Sequence, residues 1–284
     1  MLLHKSTAIG LAAAALSLGL AFTADTAKAD LVLPVTNLSF NAFSGTFTAP
    51  KDFFTHAQPT GWSIGAAAQN ANLIYVGQQG SEGYENQSSG NIYGVYGTFS
   101  NTVPAGYNFY QADGNPQYES TIKQTISGLV AGQTYDLTFQ QAAGQQGYPT
   151  GFSGATTEQW KVFLGQDGIG VDCSSNPCTV TGTTNNVEAD SPLMSTPSMG
   201  NTDWQPVSLT FTPTAADLSG GTAILTFLAW GDGGSTTNLP PTVFLEGVNT
   251  APVPEPATLT LLGTGFLGLS GIARRRRASR NATV

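Results

Sequence analysis

Between its first 29 residues and its last 34, the 284-residue chain has no arginine and only three lysines, Lys51, Lys123 and Lys161. The same stretch holds 16 acidic residues, so its net charge is about −13 with His56 neutral. Nucleic-acid backbones are bound by clustered Lys and Arg, and this lack excludes them as partners. Histidine is as scarce: once an N-terminal leader is removed, only His56 remains. One His cannot complete a zinc set, and with no Gly-x-Ser-x-Gly elbow on a strand-to-helix turn it does not support a Ser/His/Asp arrangement. The two cysteines, Cys173 and Cys178, are separated only by Ser-Ser-Asn-Pro. In an oxidising compartment they form a local disulfide that pins a loop, because a metal would want two further soft ligands. No long stretch of the body shows a helical period.

Long apolar runs occur only towards the two ends. Lys5 precedes an apolar run from Ala8 to Phe22, and Ala27-Lys28-Ala29 supplies small residues before Asp30, which predicts a signal peptide over residues 1–29. Near the C-terminus stand Pro254-Glu255-Pro256, an apolar run from Ala257 to Ala273, and Arg274, Arg275, Arg276 and Arg277. The two prolines fix their own φ and push Val253 and Glu255 towards extended backbone, so the tripeptide has the shape a processing enzyme can bind. The apolar run predicts a transmembrane helix of about 26 Å, barely enough for a bilayer core of about 30 Å. Gly263, Gly265, Gly268 and Gly271 weaken it further, which suits transient rather than permanent retention. The arginines hold the tail on the cytoplasmic side and leave everything before Glu255 outside. Val-Pro-Glu-Pro-Ala-Thr-Leu-Thr-Leu-Leu-Gly followed by an arginine cluster resembles the PEP-CTERM sorting signal of exopolysaccharide-producing bacteria. The resemblance implies an exported substrate of an exosortase, held in the inner membrane until processed, with signal peptidase acting at the other end.

Residues 30–250 are long enough for one sizeable domain, with 251–284 forming the sorting signal. Alternation and β-branched or aromatic enrichment predict strands at Leu38–Phe40, Ile92–Phe99, Tyr107–Gln111, Ser120–Ile126, Tyr135–Gln141, Gln159–Leu164, Val207–Phe211, Ala223–Ala229 and Thr242–Val248. Gly-rich turns between them point to an all-β fold, a two-sheet antiparallel β-sandwich of the jelly-roll kind. Leu129 to Tyr135 reads as a turn between antiparallel strands, with Gly132 free to take φ > 0. Leu137, Phe139, Val162, Leu164, Leu209, Phe211, Leu225, Phe227, Phe244 and Val248 alternate into the core. Residues 41–91 and 165–203 read as elaborated loops.

Gly61-Trp62, Tyr110-Gln111-Ala112 and the run Ile122 to Phe139, followed by Trp160 to Phe163, Trp204 to Thr212, Ala223 to Phe227 and Val243 to Val248, resemble the galactose-binding-like jelly roll. They are also similar to related carbohydrate-binding modules and DUF642-type domains. The resemblance implies that Trp62, Trp160 and Trp204 pack the core. It also implies a structural Ca²⁺ where the first strand meets the last, for which Asn37, Asn41 and Glu246 offer oxygen ligands.

Glycoside hydrolysis needs two carboxyl groups at a set separation, one of raised pKa. Glu82, Glu85, Glu188, Asp190 and Asp232 are acidic but scattered over segments read as loops, and solvated loop acids give no catalytic residue. Carbohydrate binding needs less: an aromatic face to stack on a sugar and a few amide or carboxylate groups for its hydroxyls. Tyr84, Tyr148, Trp230 and Asp232 are the candidates. The expectation is a surface or matrix protein that binds exopolysaccharide without cofactor or catalysis. A self-associating biofilm protein without a sugar site and a polysaccharide-acting enzyme are the alternatives.

Overall fold

The computed structural model describes residues 31–37, 39–46, 51–53, 57–65, 72–75, 95–97, 99, 108–146, 154–175, 177–232 and 241–248. The signal peptide and the sorting tail, with its expected transmembrane helix, lie outside them. Among the described residues no helix is long and apolar enough to cross a membrane.

Seventeen strands are described: β1 (Leu31–Val32), β2 (Phe43–Gly45), β3 (Lys51–Phe53), β4 (Ala57–Pro59), β5 (Ser63–Ile64), β6 (Asn72–Tyr75), β7 (Phe109–Asp113), β8 (Thr121–Ser127) and β9 (Tyr135–Gln145). There follow β10 (Thr156–Gly165), β11 (Gly170–Asp172), β12 (Thr179–Thr181), β13 (Asn186–Asp190), β14 (Met194–Thr196), β15 (Asn201–Phe211), β16 (Thr222–Asp232) and β17 (Pro241–Glu246). One sheet runs β1-β9-β17-β7-β6-β3 with β15 also on β9; the other runs β13-β10-β16-β8-β5 with β14 on β10. From β7 to β10, and again from β15 to β17, each connection crosses from one sheet to the other. This is the all-β two-sheet sandwich that the alternation predicts.

The period-2 pattern builds the main core. Leu137 and Phe139 of β9, Val162 and Leu164 of β10, Leu209 and Phe211 of β15, and Leu225 and Phe227 of β16 point between the sheets, with Val248 just past β17. Trp160 lies there too, fully buried, and its indole N–H donates to the Phe244 carbonyl at 3.0 Å. Trp62 packs against Phe40 and Phe227 at ring separations of 5.3 and 6.2 Å. Burying aromatics of this size contributes roughly 25 cal/mol for each Å² of apolar surface removed from water.

Several expectations need correction. Phe244 faces away from the sandwich interior and joins Val95, Phe99, Phe109, Ala142 and Trp204 on the outer side of the first sheet. That face is covered by a second layer that includes Val95 and Phe99, so every residue of β17 is buried. Trp204 therefore packs in this outer cluster and not in the main core. The turn from Leu129 to Tyr135 joins strands of opposite sheets rather than a hairpin, although Gly132 does take positive φ, 75°. Ser39 and Phe40 form a bend instead of a strand, with φ of 52° at Phe40, and Leu38 is outside the described residues. The pairing is antiparallel except that β1 runs parallel to β9. Residues 165–203, read as loops, contain the β11–β12 hairpin and the strands β13 and β14 that edge the second sheet.

Candidate functional site

Strand register assembles an aromatic and polar patch on the outer face of the second sheet. Trp230 of β16 sits opposite Gln159 of β10, and Asp232 opposite Thr157. Two residues along, Lys161 pairs with Leu228 on one side and with Asp190 of β13 on the other. Paired residues share a face, so Asp190, Lys161, Gln159, Trp230 and Asp232 stand together. Their contacts agree: the Lys161 ammonium lies 5.4 Å from the centroid of the half-buried Trp230 ring, and the Gln159 amide donates to Asp190 Oδ2 at 3.4 Å. Asp190 and Asp232 are exposed.

Two loops border this patch. The β7–β8 loop, residues 114–120, abuts the Trp230 backbone so closely that a Cβ on Gly114 would lie 2.9 Å from the Trp230 carbonyl carbon. A side chain at position 114 would push the loop off the strand. Cys173 and Cys178 form the expected disulfide between β11 and β12. The pinned loop leans on the β7–β8 loop, with Cys178 N donating to the Pro116 carbonyl at 2.6 Å and Cys173 Sγ 3.9 Å from the Glu119 carbonyl oxygen. Val171 and Val180 of the hairpin pack against Phe163, Ile169 and Leu228, which fastens it to the same face. Within the β7–β8 loop Glu119 is buried, and its Oε2 has no hydrogen-bond partner. Burial pushes its pKa up to about 7, opposed by the charge of Lys161. It has the raised pKa of a general acid but not the exposure.

Of the four residues expected to contact a ligand, Trp230 and Asp232 stand on one face, two positions apart. Tyr84 and Tyr148 lie outside the described residues. Gln159, Lys161, Asp190 and Glu119 were not singled out as ligand contacts; outward alternation about Trp160 marks the first two, but nothing local pairs them with Trp230. Glu188 and Asp190, read as loop acids, stand on the exposed edge strand β13.

At the other end of the sandwich, β1 and the last strand meet beside β9: Val32 pairs with Asp136, and Glu246 with Gln140. Glu246 is fully buried rather than solvent-facing, neither carboxylate oxygen has a partner, and burial pushes its pKa up to about 7. Asn37 is differently placed. Its side-chain N–H groups donate to the carbonyls of Ala42 (2.9 Å) and Thr60 (3.1 Å), and its Oδ1 accepts from Ala42 N (3.1 Å). These bonds hold the loop in which Asn37 takes a φ of 49°. Asn41 is exposed. Of the three expected calcium ligands, Glu246 has the free oxygens a cation needs, and Asn37 does not. Among the described residues no group of three His, Cys, Asp or Glu side chains is placed to hold a metal ion.

A search of curated proteins finds no match. Among solved structures, the chain is similar at 12% identity and a TM-score of 0.33 to the enzymatically active domain of bacteriophage CBA120 tailspike protein 4. That alignment covers 66% of this chain and 19% of the tailspike chain, so the chain spans about a fifth of that structure's length. It is similar at 12% identity and a TM-score of 0.33 to TmCBM61, solved with β-1,4-galactotriose, over 72% of this chain and 96% of that one. A non-crystalline-cellulose-specific module, CBM28, is similar at 12% identity and a TM-score of 0.30, over 72% and 94% of the two chains. Residues 252–277 match the PEP-CTERM protein-sorting motif, which implies exosortase processing. The chain thus carries that motif and is an exported protein anchored in the membrane before it is processed.

Proposed function

We propose that this is a non-catalytic surface or matrix protein that binds exopolysaccharide through the patch around Trp230. The observation that carries the reading is the half-buried Trp230 ring framed on one face by Gln159, Asp190, Lys161 and Asp232. An indole offers an apolar plane to the C–H face of a pyranose, and amide and carboxylate groups at its edge accept and donate to ring hydroxyls. The disulfide-pinned loop and the β7–β8 loop brace the patch, so little ordering is left to be done on binding. The sorting signal suggests exopolysaccharide as the ligand class and the surface or matrix as the destination. The burial of Glu119, a carboxyl of raised pKa beside the patch, favours binding over turnover.

Calorimetric titration of the purified protein with the producing cell's exopolysaccharide tests the reading. Saturable binding that depends on Trp230 supports it, and no heat at millimolar sugar equivalents would sink it. A calcium ion, if the fold carries one, is held through Glu246; added Ca²⁺ should then raise Tm in the native protein and leave Glu246→Gln unchanged.

A further inference from the structure

The tether between the sandwich and its sorting motif is short, and its point of departure selects the surface that the processing enzyme meets. β17 starts at Pro241, packed on Gly231 beside Trp230, and ends at Glu246 opposite Gln140. It therefore runs away from the Trp230 patch and towards the Tyr135 end of β9. Pro254 is six residues past Val248, about 21 Å at full extension. From Gln140 to Tyr135 is five residues of strand, about 17 Å. The motif can clear the body at this end. To reach the patch from Val248 it would have to run back past the whole of β17, seven residues or about 24 Å of strand, more than its full extension. An enzyme that binds an extended Pro-Glu-Pro needs the tripeptide clear of the body, so it approaches from the Tyr135 end.

Three apolar side chains are exposed at that end, beside the exposed Thr212 and the half-buried Asp136. Leu31, Val32 and Val130 have relative exposures of 49%, 38% and 62%. All three are fixed around Thr134 to Asp136: Leu31 N donates to the Thr134 carbonyl at 3.2 Å, Val130 N to the Tyr135 hydroxyl at 2.8 Å, and Val32 pairs with Asp136. We propose that this end of the sandwich, centred on Leu31, Val32 and Val130, docks on the exosortase and positions the tail for processing. Leu31 and Val32 alternate to opposite faces of β1, so with Val130 they would meet the partner end-on, where the tail departs.

The test is the rate at which the full-length chain is processed in cells carrying its exosortase, followed by pulse-labelling. Val130→Lys and Val130→Asp should each slow processing by about threefold or more, the loss of one apolar contact at an interface. Tyr118→Lys, an exposed site on the β7–β8 loop at the opposite end, should leave the rate unchanged. A 12-residue Gly-Ser spacer inserted between Val248 and Pro254 should make the native chain and both Val130 variants alike, since the enzyme then no longer abuts the body. Three results would overturn the proposal: native rates for both Val130 variants, equal slowing with and without the spacer, or slowing by Asp but not Lys. The last would mean that an anionic lipid surface, and not a protein, lies against this end.

Discussion

At the Trp230 end of the sandwich, charged and amide side chains surround a half-buried aromatic ring, on the part of the second sheet's outer face that the β11–β12 hairpin leaves open. Towards the Tyr135 end, apolar Leu31, Val32 and Val130 are exposed, and Glu246, opposite Gln140, is buried without a partner. Polar groups that stand in solvent are hydrated and lose little without a partner. A buried carboxyl has no such reserve, and burial raises its pKa. The two ends therefore differ in what a substitution should change, affinity at one and stability or processing at the other.

The sharpest way to break this contrast is Trp230→Ala. Loss of the stacking plane should weaken glycan binding by about 2 kcal/mol or more, some thirtyfold, while Tm moves little because the ring lies on the outer face and not in the main core. Equal affinity for native and variant protein in calorimetry would remove the patch as the site. Next comes the disulfide. Cys173→Ser with Cys178→Ser opens a six-residue loop, for which chain entropy gives about 2 kcal/mol. That loop braces the patch, so affinity should fall alongside stability; a fall in Tm with unchanged affinity would show that the loop does not shape the site.

A third substitution addresses the opposite end. Glu246→Gln should stabilise the protein by about 1–2 kcal/mol at pH 8 and change it little at pH 4. The sign follows from the direction of the shift: the unfolded carboxyl releases its proton near its usual 4.5, whereas the folded one keeps it to about 7. The folded state thus holds more protons between these values, and native stability falls as pH rises through that window. Asp113 and Glu158 are raised to about 7 for the same reason, burial, so a slope remains in the variant but is shallower. Urea unfolding at pH 4, 6 and 8 measures it, and identical slopes for the two proteins would refute the assignment.

The sequence shows the core more readily than it shows either end. Leu137 and Phe139, Val162 and Leu164, and Leu225 and Phe227 are legible because each strand has one covered and one wetter face, and the period of two survives. In β17 both faces are covered, the phase that carries Thr242 and Glu246 also carries Phe244 and is buried, and Phe244 and Glu246 are assigned to the wrong surroundings. Asn186–Asp190 is polar because it edges a sheet beside water, and Met194–Thr196 is three residues long with one outward Ser, so both read as loop. Trp230 and Asp232 are legible as i and i+2 on one strand. Their neighbours are not, because Gln159 and Lys161 join them only through a register between β10 and β16, and Asp190 through a second register to β13.

The smallest expected effect tests the electrostatics of the patch from inside it. Lys161 touches both halves of the site: its ammonium lies over the Trp230 ring, and its charge opposes the upward shift of Glu119. Lys161→Met keeps the length of the stem and removes the charge. The cation–π contact is worth about 0.5–1 kcal/mol at an exposed position, so affinity should change by less than about fivefold. The Glu119 carboxyl, relieved of its one favourable charge, should titrate higher than in the native protein, as carboxyl-carbon NMR would record. Glu246, at the Tyr135 end, should titrate as before. If both carboxyls move together, the substitution has disturbed the whole sandwich and the two ends are not independent. If only Glu119 moves, the patch is an electrostatic unit of its own, separate from the end where the tail departs.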